Sequence, residues 1–160
     1  MKKNKIIGLL ISLVIAQICN AQIVDLSKQN LKLGIGFKNS YVNNPAIKKA
    51  FIFSISISVN KIGKIDSIYF SKIENAELGD AMDINQIRKS VISEKAFFSR
   101  YKNSVVNIPV MALNLNDQYI SNQHALLREW ETLFPNVNKF KKKNIVLCKP
   151  ISIWFVTDDD

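Results

Sequence analysis

The sequence predicts an α+β domain: an antiparallel β-sheet built on a central hairpin, with two helices packed on one face. Three observations predict it. Phe51–Val59 alternates apolar and polar residues, Asn60-Lys61-Ile62-Gly63 supplies a tight turn, and two later stretches, residues 84–92 and 122–134, carry apolar residues at helical spacing. Helices gathered on one side of an antiparallel sheet are the usual packing solution for that order.

The chain opens with Lys2, Lys3 and Lys5, an apolar run over residues 6–16, and a polar end at Cys19-Asn20-Ala21. That is the pattern of a secretory signal peptide over residues 1–21, cut before Gln22, and it predicts a periplasmic or secreted protein. The run is shorter than the roughly 20 apolar residues of a spanning helix. Contact with the membrane is therefore expected only through this segment, if it is kept. Residues 22–160 then form one domain, long enough to bury a core without staples. Within it Cys148 has no cysteine partner and reads as a small buried hydrophobe.

Residues 25–33 carry a weak helical pattern, and Asn43-Asn44-Pro45 marks a loop. In Phe51–Val59 the odd positions Phe51, Phe53, Ile55, Ile57 and Val59 predict a core face. Ser54, Ser56 and Ser58 lie opposite, on a face expected to meet solvent. Ser56→Ala is then expected to change stability by less than about 0.5 kcal/mol. Gly63 suits the left-handed backbone of a short hairpin loop, and residues 64–70 return as the partner strand.

Asp83 and Gln86 have capping-box spacing, with Ile84, Ile87, Val91 and Ile92 as the apolar stripe of the first helix. Residues 105–115 form a β-rich run in which Pro109 predicts an edge strand or a bulge. Ser121 is the expected N-cap of the second helix, whose buried side reads as Leu126, Leu127, Trp130, Leu133 and Phe134 before Pro135 stops it. Residues 145–156 close the chain as a strand with a bulge or a break at Pro150, and residues 158–160 form an acidic tail.

The net charge of +9 falls to +6 once the signal lysines leave, and 19 of the 22 basic residues are lysine. Phosphate recognition favours arginine, so this balance and export together argue against a nucleic-acid partner. No catalytic, cofactor or metal residues emerge. His124, the single histidine, falls in a helical first turn with no nucleophile or ligand set at local spacing. No Gly-x-Ser-x-Gly elbow exists, and Glu74, Glu77, Asp80 and Asp83 surround a helix start, where negative charge complements the dipole. The one stretch with a binding character is Lys139, Phe140, Lys141, Lys142 and Lys143, four ammonium groups around an aromatic ring suited to an acidic surface.

Pro45-Ala46, the alternating strand, Asn60-Lys61-Ile62-Gly63-Lys64-Ile65 and the return to Phe70, followed by a helix and a strand, resemble the C-terminal domain of TonB-type energy transducers. The resemblance covers about half of the mature chain and implies an envelope protein that binds other proteins. The family's proline-rich arm and Trp-x-Phe-x-Pro segment have no counterpart, and residues 118–143 read as an added helix and loop. The expectation is an exported, non-catalytic interaction or structural module with an unknown protein partner in the envelope. The alternatives are a membrane-anchored accessory of an envelope complex and, less favoured, a small hydrolase whose site assembles only in the fold.

Overall fold

A computed structural model describes residues 23–29, 31–43, 50–71, 78–115, 123–134, 140 and 143–156. The signal segment with Cys19, Pro45-Ala46, Glu74 and Glu77, the Ser121 cap, and the acidic tail lie outside them, as do Lys139, Lys141 and Lys142.

The hairpin forms as the alternation predicts. β2 (Phe51–Val59) pairs antiparallel with β3 (Ile65–Phe70), from Ile55↔Phe70 to Ser58↔Ser67, and a bulge shifts the last pair to Val59↔Ile65. Asn60 organises the turn: its Oδ1 accepts from the N–H groups of Ile62 at 3.0 Å and Lys64 at 2.9 Å. Gly63 sits at φ +86°, a left-handed value that a side chain disfavours.

β4 (Ser104–Asn114) runs antiparallel along the whole of β2. On its other side β5 (Asn144–Cys148) and β6 (Ile151–Phe155) both run parallel to it. The two-residue strand β1 (Ile23–Val24) adds to β5, also in parallel. The sheet order is β1-β5-β4-β2-β3, with β6 beside the second half of β4. The α+β class holds, while the expected all-antiparallel pairing is replaced by a mixed sheet. Between β4 and β5 the chain crosses over one face and re-enters in the same direction, which is how parallel neighbours are connected.

Pro109 is accordingly not on an edge. It stands in a strand flanked on both sides, opposite Ser54 of β2. β5 pairs with Ser104 to Asn107 and β6 takes over at Val110. The N–H that proline lacks falls where the partner strand is itself broken at Lys149-Pro150. The chain thus matches one proline break with another.

The odd face of β2 carries the main core. α1 (Asn39–Val42), α2 (Leu78–Ala81), α3 (Ile84–Ser93) and α4 (Lys95–Phe98) supply buried Tyr41, Leu78, Ile87, Val91 and Phe98, which join Phe51, Phe53, Ile55, Ile57 and Val59 in one cluster. Asp83 caps α3 as expected, its Oδ1 accepting from Gln86 N–H at 3.0 Å. Residues 26–29 form a single 3-10 turn and not the expected helix; Leu31, Leu33 and Ile35 then pack against the cluster from an irregular segment.

α5 (Gln123–Thr132) lies on the opposite face, so the two long helices sandwich the sheet and do not share a side. Ser54, Ser56 and Ser58 are consequently buried, contrary to the solvated face that the alternation predicts. Polar bonds compensate. Ser56 Oγ donates to Asn107 Oδ1 at 2.8 Å, and Asn107 Nδ2 donates to the Leu133 carbonyl at 3.2 Å. The inward stripe of α5 is Ala125, Glu129 and Leu133, four residues apart, whereas Leu127, Trp130 and Phe134 face outward. Glu129 is drawn inside by the end of β3. Ser71 still bonds Ser54; among the described residues no strand meets the Ile52 N–H beyond it, and Glu129 Oε2 accepts it at 2.8 Å.

The buried seam changes the expected cost of Ser56→Ala. Removing the hydroxyl leaves the Asn107 carbonyl oxygen without this donor, so the substitution is expected to cost about 1 kcal/mol. The shift of the urea midpoint against wild type measures it.

Candidate functional site

The basic stretch 139–143 does not present five free side chains. Phe140 is half-buried with its ring edge-on to Tyr69, centroids 5.6 Å apart. Lys143 turns inward, where its ammonium donates to Ser58 Oγ at 2.6 Å and pairs with the Asp66 carboxylate. These two residues fasten the return loop onto β2 and β3. The charge cluster read from sequence thus has its last lysine paired with a distant acid.

His124 is exposed at the start of α5. Among the described residues no group of three or more His, Cys, Asp and Glu side chains is placed to hold a metal ion. Cys148 is buried, and burial pushes its thiol up to about 12, far from the thiolate that nucleophilic chemistry requires.

A concave feature lies elsewhere, beside one edge of the sheet. Among the described residues no strand pairs with the outer side of β3. A groove of about 770 Å³ runs along it, walled on one side by residues 63–68 and on the other by Arg88, Ile92, Lys95, Ala96 and Ser99. Those five recur at three- and four-residue spacing, so α3 and α4 present a single face to the edge strand. Ile92 was expected in the buried stripe; it is 54% exposed and forms part of the apolar wall.

The backbone of β3 faces this groove. Arg88 Nη1 donates to the Ile68 carbonyl at 3.0 Å, and its guanidinium lies 5.2 Å from the centroid of the Phe70 ring. The carbonyl of residue 68 therefore points away from β2. Because strand backbone groups alternate in direction, residue 70 points outward with it. Gly63 closes one end of the groove where the hairpin turn meets Ser99.

Sequence reading missed this site because two segments build it, each unremarkable alone. The one local signal is Ile92, an isoleucine directly beside Val91 and so off the buried stripe. A smaller crevice of about 240 Å³ lies between Leu26, Leu31, Leu33, Ile35, Ile151 and Ile153, lined by aliphatic side chains alone. Among the described residues no helix is long and apolar enough to cross a membrane. No protein-family model, curated protein or solved structure matches the chain, and the functional argument rests on the fold and the groove.

Proposed function

We propose that the protein is an exported, non-catalytic interaction module that engages a protein partner in the envelope by strand addition along β3. The observation that carries this reading is an unpaired sheet edge opening directly onto an apolar groove. Main-chain hydrogen bonds at such an edge supply affinity and an adjoining groove supplies selectivity. The order of β2, β3, α3 and β4 supports a likeness to the TonB C-terminal domain. The outer side of β4 is occupied here by β5 and β6; among the described residues β3 and β6 each have one side that no strand pairs, and the groove lies along that of β3.

Export is tested by the intact mass of protein recovered from the periplasm or medium, which is expected to begin at Gln22. A full-length mass held by carbonate-washed membranes favours the anchored accessory reading. The interaction site is tested with a photo-crosslinking amino acid placed in cells at Ile92 in the groove or at Leu127 on the outer side of α5. Strand addition at β3 predicts one discrete adduct from Ile92 and none from Leu127. Adducts confined to Leu127, or none from either position, overturn it.

A further inference from the structure

We infer that the occupant of the β3 groove is an extended acidic segment, its backbone pairing with β3, an apolar side chain against Ile92 and Ala96, and its carboxylates meeting Lys64, Arg88 and Lys95. This deepens the interaction-module reading and rests on it.

The charge of the groove carries the argument. Its lining holds three cations, Lys64, Arg88 and Lys95, and one carboxylate, Asp66. That carboxylate is already paired with Lys143. Among the described residues neither the Lys64 nor the Lys95 ammonium has an ion-pair partner, so the rim is left positive on both walls. The Arg88 guanidinium spends one N–H on the Ile68 carbonyl and keeps others for a carboxylate, which it grips as a fork. Side chains of an added strand that point toward α3 and α4 recur at every second residue, so apolar and acidic residues at successive positions of that one face meet Ile92 and Ala96 and the cations in turn. A second copy of this chain fits poorly. At the groove it brings the same positive rim and no carboxylate that is not already paired, so it supplies no charge partner for these cations.

The probe is a fluorescein-labelled peptide in which every second residue is alternately valine and glutamate, with threonine between them, titrated with the chain from Gln22 onward and followed by anisotropy. Saturable binding is expected, weakened about tenfold by Lys95→Glu or Lys64→Glu and less than about twofold by Lys32→Glu, an exposed lysine outside the groove that changes net charge equally. Equal weakening by Lys32→Glu means attraction to overall charge alone and overturns the inference. Equal binding of an alternating valine–lysine peptide overturns the acidic class while leaving strand addition in place. Equal binding of the valine–glutamate peptide N-methylated at alternate amides overturns strand addition itself, and no binding of the unmodified peptide overturns the inference.

Discussion

Phe53→Ala is expected to lower the stability of the mature domain by roughly 3–5 kcal/mol, the range for removing a fully buried phenylalanine. Phe53 is 0% exposed on the odd face of β2, opposite Val110 of β4, with its ring 5.9 Å from that of Phe51. Two features keep the cavity from collapsing. The backbone is clamped by β4, and the facing helices rest on Phe51, Ile55 and Phe98 as well as on Phe53 itself. Urea unfolding with an unchanged m-value reads the loss as stability. Ile92→Ala, which trims an exposed side chain, is expected to cost less than about 0.5 kcal/mol. Comparable losses for the two variants would place Phe53 outside the core.

Gly63→Ala is expected to cost about 2–5 kcal/mol, from two terms that act together. At φ +86° an L-residue pays roughly 1–2 kcal/mol for the left-handed backbone. A Cβ at this position stands 2.8 Å from the Ser99 carbonyl oxygen, a backbone atom that moves only if the end of α4 moves. Overpacking of that kind adds about 1–3 kcal/mol. Gly79→Ala is the matched control: its new Cβ meets nothing within 4 Å, and its stability is expected to stay within about 0.5 kcal/mol of wild type. Thermal or urea unfolding of the pair ranks them. A harmless Gly63→Ala beside a damaging Gly79→Ala contradicts the described hairpin.

The parts of the fold that depend on neighbours in sequence were legible. Period-2 alternation marked β2, Asn60 and Gly63 marked the turn, and the Asp83 cap marked the start of α3. The parts set by distant partners were not. Ser54, Ser56 and Ser58 read as solvated because nothing local announces that Asn107 and the Leu133 carbonyl receive them. Glu129 is buried against a partner as remote, the Ile52 N–H seventy-seven residues away. The same error chose Leu127, Trp130 and Phe134 for the buried side of α5. Parallel pairing of β5 and β6 leaves no trace in hydrophobic pattern, so Pro109 reads as an edge or a bulge. The candidate site followed this rule. A cluster of lysines is visible in a sequence, whereas a groove made from residues 63–68 and the far side of α3 exists only once both are folded.

The central claim is that β3 is the working edge of the molecule. Residue-resolved amide exchange on the mature chain, with and without the valine–glutamate peptide, tests it most directly. The outward N–H groups of Ile68 and Phe70 are expected to exchange more slowly when the peptide is bound, because a new strand takes them as hydrogen-bond partners. Unchanged exchange at both positions, with slowing confined to α5 around Leu127 and Trp130, contradicts the claim and places the interaction surface on the opposite face of the sheet.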